Sequence, residues 1–357
     1  MNTSDLRLTN VNNDWKSLKE FFAKSSAKEK ANSLGNDLIV GLAIYSFFTA
    51  STGPLGPISY ALVARKLSSI GIGYLAFPAA RTSFSKSERH CLKNEENNNV
   101  KLLGDDYYTQ KISLYKMQTK FEALLVGHTS TIHNGKWTIH ALGNGGKMEA
   151  FIHNFAQKNF KNKSNTLLIN GPSVCESGGW PTRYQMGAGF EAGLQFLEKE
   201  VKVSHIIMHG ISFGGGMMSE AISSHDFTKG MKKRNIQYLS ISDRTFSHLS
   251  TLAGSLYGRI VEPIFFASGM ELDCVSAAKK LSDLGIRHII LQHTSQDASG
   301  TDRIIPDSAS LAHELHKDKE MPNRVFLESE EMGHDLDFPE EIKKKLDGEI
   351  QQFLGND

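Results

Sequence analysis

Gly210-Ile211-Ser212-Phe213-Gly214 sets a serine between two glycines in a G-x-S-x-G pattern. A serine hydroxyl attacks a carbonyl only when a neighbouring base takes its proton. The run SHIIMH over 204–209 reads as a strand, and Met217–Ile222 reads as helical. A strand that turns straight into a helix leaves no room for large side chains beside the turn, and glycines stand at 210, 214 and 215. Ser212 is therefore expected at the tip of the turn. The plainer alternative makes it an ordinary helix cap. The matching base is His334, in Met332-Gly333-His334-Asp335, between the last predicted strand and the last predicted helix. His209 and His293 compete for that place, although His209 suits a packing role at a strand end. Three carboxylates compete to orient the imidazole. Asp302 opens Asp302-Arg303-Ile304-Ile305-Pro306, where two apolar residues can anchor a loop and Pro can start a helix. Asp297 lies nearer the end of the strand over His288–Gln292, and Asp243 closes the strand before that.

A tetrahedral intermediate also needs donors for its oxyanion. Gly143-Asn144-Gly145-Gly146 follows the predicted strand Lys136–Leu142. The candidate donors are the backbone N–H groups of Asn144 and of Phe213, the residue after the serine. The same loop cannot be a phosphate cradle of the usual spacing. It lacks G-x-x-x-x-G-K-[ST], and Met148 stands where G-x-G-x-x-G needs its third glycine.

The elements that must hold these residues alternate. Strands are expected at Lys111–Thr119, Phe121–His128, Lys136–Leu142, Thr166–Asn170, Ser204–His209, Gln237–Ser242, His288–Gln292 and Arg324–Leu327. Helices are expected at Met148–Phe160, around Phe190–Val201, and at Met217–Ile222, Ala277–Leu284, Ser308–His316 and Glu341–Phe353. Phe190, Leu194, Leu197 and Val201 recur at helical spacing. Such alternation predicts an α/β domain with a mainly parallel central sheet and helices on both faces. Residues 82–106 are polar, and Glu95-Glu96-Asn97-Asn98-Asn99 reads as an exposed loop. The expected division is 1–105, an N-terminal helical and apolar region with a polar linker, and 106–357, the catalytic domain.

Composition narrows the class. The chain has 357 residues, with 40 Lys+Arg against 39 Asp+Glu. That balance argues against a nucleic-acid binder, which usually shows a basic excess. Three dispersed cysteines (Cys91, Cys175 and Cys274) build neither a disulfide framework nor a CxxC metal site. A reducing compartment fits best, and the chain is expected to be cytoplasmic or membrane-associated. The first thirty residues carry no apolar signal core. Leu38–Ala64 holds no charge, and after Arg65-Lys66 a second uncharged run follows over Leu67–Ala80. Gly53-Pro54 and Gly56-Pro57 break the first run. Two readings stay open for 38–80: helices buried on a soluble domain, or peripheral contact with a membrane.

The spaced features GNGG, Asn170-Gly171-Pro172…Ser177-Gly178-Gly179, GISFGG, Asp and Gly333-His334, in that chain order, resemble the α/β-hydrolase superfamily over about residues 107–357. More narrowly, the runs Asn170–Pro181, His209–Gly215 and Ser242-Asp243-Arg244-Thr245-Phe246-Ser247 resemble the chlamydial-type CHLPS family of intracellular bacteria, a group of unassigned function. Two departures stand out: Leu142 where many members have His, and a longer acid loop. The resemblance implies an α/β-hydrolase fold and a serine hydrolase of esterase or lipase type that needs no metal or organic cofactor. Ser212 would be nucleophile, His334 base, and Asp302 or Asp297 the acid. It also implies a small-molecule or lipid acyl substrate, and effector-type secretion. The alternative is a membrane-binding or partner-binding module on a hydrolase scaffold, with little or no catalysis.

Overall fold

The computed structural model describes residues 56–293, 302, 304–318, 321–334 and 337–355. The chain divides into two units, Met1–Ala64 and Arg65–Asp357. The boundary expected at 105/106 falls inside the second unit. Helix α1 (Gly56–Ala76) runs on through Arg65-Lys66. No described helix is long and apolar enough to cross a membrane.

The polar stretch expected as a loop is instead helix α2 (Lys86–Leu103). Ser85 caps it, its Oγ accepting the Glu88 N–H at 3.2 Å. The helix is polar because only a narrow side is covered: Leu92 and Leu103 are buried, and Asn99 Nδ2 donates to the Glu149 carbonyl at 3.0 Å.

A hairpin follows, β1 (Tyr107–Lys116) and β2 (Thr119–His128). Its two turn residues, Met117 and Gln118, both have positive φ, the geometry of a tight two-residue hairpin. Then come β3 (Lys136–Ala141), α3 (Met148–Lys161), β4 (Asn165–Ile169), α4 (Arg183–Glu200), β5 (His205–Ile211) and α5 (Phe213–Ser224). The chain continues through α6 (Phe227–Arg234), β6 (Gln237–Asp243), α7 (Leu249–Tyr257), α8 (Glu262–Ser268) and α9 (Cys274–Asp283). It ends with β7 (Arg287–His293), α10 (Leu311–Leu315), β8 (Arg324–Ser329) and α11 (Glu340–Leu354).

The eight strands form one sheet in the order β1-β2-β4-β3-β5-β6-β7-β8. From β4 to β8 every pairing is parallel; β1 and β2 are antiparallel additions. Parallel strands are covered on both faces. On one face Ile342, Leu346, Ile350 and Leu354 of α11 pack on Ile207, Leu239, Ile241, Ile289 and Leu291. Beside them α3 lays Met148, Ile152 and Phe155 over Leu124, Val126 and Leu168. The other face carries α4, α5 and α9. There Gly193 lets α4 approach so closely that an added Cβ would meet Ile169 Cδ1 at 2.3 Å.

Candidate active site

Ser212 sits between β5 and α5 with φ 52° and ψ −120°. A non-glycine residue held there costs on the order of 1–3 kcal/mol and persists only when its surroundings fix it. Its N–H donates to the Asp243 carbonyl at 2.7 Å, and its carbonyl accepts from Thr245 Oγ1 at 3.2 Å. The neighbouring glycine is required by space: a Cβ on Gly214 would stand 2.1 Å from the Ala141 carbonyl oxygen. The serine is thus pushed out of the turn while the backbone below it is clamped.

His334 reaches it from the loop between β8 and α11. His334 Nε2 lies 2.8 Å from Ser212 Oγ, and His334 Nδ1 lies 3.1 Å from Asp302 Oδ2. The second carboxylate oxygen of Asp302 accepts the N–H groups of Ile304 at 3.0 Å and Ile305 at 2.9 Å. Burial pushes the Asp302 carboxyl up. The His334 bond, the Ile305 amide, the His334 charge and the Ile304 amide outweigh it, so the group titrates below the ordinary aspartate value. The anchor expected from two isoleucines is carried by one: Ile305 is buried and Ile304 is exposed.

Asp297 lies outside the described residues. Asp243 is buried and bound to its neighbour, its Oδ1 accepting Arg244 Nε at 2.8 Å. His209 is buried on β5 with Nε2 3.6 Å from Asp243 Oδ2, and burial lowers its pKa despite that carboxylate. His293 is buried at the end of β7.

Loop 143–146 closes the other side of Ser212. A Cβ built on Gly143 would lie 3.5 Å from Ser212 Cβ. The Asn144 carbonyl accepts the Ala79 N–H at 3.3 Å, which ties the loop to the turn after α1. Phe213 opens α5, so its N–H is among the first-turn amides that have no partner within the helix. Its ring is held between Phe77, stacked at 5.2 Å, and Phe246 at 6.1 Å.

One participant was not foreseen. Arg244 has φ 47°, and its guanidinium spans two groups. Nε holds Asp243, while Nη1 donates to the Gly333 carbonyl at 2.9 Å, one residue before His334. The same guanidinium lies 4.7 Å from the centre of the Phe338 ring. The segment 243–245 therefore touches both the serine turn and the histidine loop. The run Ser242–Ser247 marked the place in the sequence; nothing in it marked the partner 89 residues away.

The sequence matches the Chlamydia CHLPS protein family (DUF818) over residues 80–355. The chain belongs to that family. No curated protein matches it. Among solved structures it is similar to a Pyrococcus furiosus esterase, with 14% identity and a TM-score of 0.50 over 70% of this chain and 90% of that one. An alpha-beta hydrolase from Vibrio vulnificus is similar at 16% identity and a TM-score of 0.49, over 76% of this chain and 94% of that one. This CHLPS family member has the α/β-hydrolase fold.

Proposed function

We propose that this CHLPS protein is a serine hydrolase that cleaves acyl esters through an acyl-enzyme. The observation that carries the reading is the relay Ser212 Oγ, His334 Nε2 and Nδ1, Asp302 Oδ2, with spacings of 2.8 and 3.1 Å. Asp302 holds Nδ1 protonated, which leaves the Nε2 lone pair facing the serine hydroxyl. As Ser212 Oγ bonds to the carbonyl carbon, its proton passes to Nε2. The carbonyl oxygen takes the negative charge and is met by the N–H groups of Phe213 and Asn144. When the tetrahedral species collapses, the ester C–O bond breaks and His334 returns the proton to the departing alkoxide. A water then repeats the sequence against the acyl-serine and releases the acid. The apolar rings of Phe77 and Phe246, packed on Phe213 next to the serine, favour a hydrophobic acyl group.

A fluorophosphonate probe tests the reading. The wild type should be labelled at Ser212, and Ser212→Ala should not. A series of p-nitrophenyl esters of increasing chain length should then give turnover that rises with acyl length. Absence of labelling in the folded wild type would remove the hydrolase reading.

A further inference from the structure

Residues 256–266, between β6 and α9, turn most of their large apolar side chains outward. Tyr257 is 75% exposed, Ile260 79% and Phe266 73%, with Leu256 and Ile264 also exposed. A single surface leucine needs no explanation, but five large apolar residues within eleven positions do. The charge of this segment is sorted as well. Its acid, Glu262, is half-buried; a Cβ on Gly254 would meet its Oε1. Its base, Arg259, is exposed.

Helix α1 repeats the pattern. Among the positions described from Ala61 on, it buries Ser69 and Gly73; a Cβ on Gly73 would collide with the Pro181 carbonyl oxygen. On the opposite side Leu67 is 64% exposed and Leu75 71%. An amphipathic helix of a water-facing surface does the reverse. The two elements meet where the Arg65 guanidinium lies against Gly269, 3.1 Å from an ideal Cβ there. From Leu38 to Ser87 the sequence holds Arg65, Lys66, Arg81 and Lys86 and no Asp or Glu. Both elements also lead to the serine: Phe77, just after α1, and Phe246, just before α7, flank the ring of Phe213.

We infer that Leu256–Phe266, joined by the outer side of α1, docks on an anionic lipid bilayer and presents acyl esters of that bilayer to Ser212. Apolar side chains enter the interface, and exposed cations meet the headgroups. A second copy of the chain fits worse. A two-fold contact sets a patch against itself, so Arg65 and Arg259 would face like charges while Glu262 stays turned inward. Delivery to Ser212 rests on the hydrolase reading; docking does not.

The test is flotation of the full chain with phosphatidylcholine vesicles, with and without phosphatidylglycerol. The wild type should float with the anionic vesicles. The triple variant Tyr257→Ser, Ile260→Ser, Phe266→Ser should bind about a hundredfold more weakly. Arg259→Gln should bind about fivefold more weakly, an effect that fades as salt rises. Fluorophosphonate labelling of the same variants should match the wild type, showing an intact fold and site. Should the triple variant misfold, Tyr257→Trp provides the readout, since its fluorescence should be quenched by brominated lipid on binding. Undiminished flotation of the triple variant, or an unquenched Trp, overturns the docking face. So does a dimer in sedimentation that the triple variant dissolves, with no vesicle binding. A wild type that floats but takes no label keeps the docking and removes the hydrolase.

Discussion

Replacing Asp302 by Asn changes one atom, and the surrounding hydrogen bonds dictate how the new side chain must sit. Two backbone N–H groups, from Ile304 and Ile305, point at Oδ1 at 3.0 and 2.9 Å. The carboxamide of the Asp302→Asn variant can satisfy them only with its oxygen there. The reverse orientation would strand two donors at a cost of about 1–3 kcal/mol each. The amide nitrogen is then forced toward His334 Nδ1, where Asp302 Oδ2 now lies at 3.1 Å. That nitrogen donates, so Nδ1 must accept, and the imidazole proton moves to Nε2. Nε2 faces Ser212 Oγ at 2.8 Å and can no longer take its proton. The fold and the distances survive, but the tautomer is wrong. The expected loss is about 10⁴-fold in kcat, or about 5.5 kcal/mol in the barrier. Steady-state hydrolysis of a p-nitrophenyl ester measures it, and the rate of fluorophosphonate labelling should fall in parallel. Asp297→Asn should stay within about threefold of the wild type. An Asp302→Asn variant within about tenfold of wild type, or a collapse at Asp297 instead, refutes the tautomer argument.

Ser212→Ala should lower kcat by about 10⁶ with unchanged thermal unfolding, checked by turnover and calorimetry. Arg244→Ala should free the Gly333 carbonyl and let the histidine loop shift, lowering kcat by about 10² with KM nearly constant. Arg244→Lys should restore little, because a single ammonium cannot hold Asp243 and reach Gly333 together. A KM effect, or full rescue by Lys, would show that Arg244 does not position His334. Asp243 tests the pH dependence of stability. Burial pushes its carboxyl up, but the nearby His209 ring and the Arg244 charge outweigh that and hold it far below the usual carboxylate range. A depressed folded value means that the unfolded chain binds more protons, so the stabilisation is present above about pH 3.9 and is lost as pH falls further. Asp243→Asn should cost about 3–5 kcal/mol at pH 7 by leaving Arg244 buried without its partner. Urea unfolding should show the gap to wild type narrowing below about pH 4.

Strands β3 to β8 were legible because buried parallel strands are short apolar runs, and their ends fell within one or two residues of the expected ones. The β1–β2 turn was not, because Met117 and Gln118 adopt positive φ without the Asn or Gly that signals it. Helix α2 was misread for the opposite reason. Its composition suggested a loop, whereas Ser85 and Glu88 stand at capping-box spacing. The start of α4 was hidden by Gly187, Gly189 and Gly193, which weaken a helical signal yet let α4 pack against α5, Phe121 and the sheet.

The site shows the same limit at finer grain. Local spacing found Ser212 and His334, since each sits next to the glycine that lets it project. It left Asp302 and Asp297 unresolved, because both lie after β7 and loop length does not say which carboxylate turns inward. What marks Asp302 is a local bond pattern: it is pinned by the amides two and three residues on, and Ile305 is buried beside it. Arg244 lay beyond any local reading. Its partner carbonyl belongs to Gly333, and only the parallel pairing of β6 with β7 and β7 with β8 brings residues 244 and 333 to the same end of the sheet. A contact made through a backbone carbonyl leaves no residue type behind to be read. The serine and the histidine of the proposed relay are therefore written in the sequence, while the part that fixes the distance between them is written in the strand order.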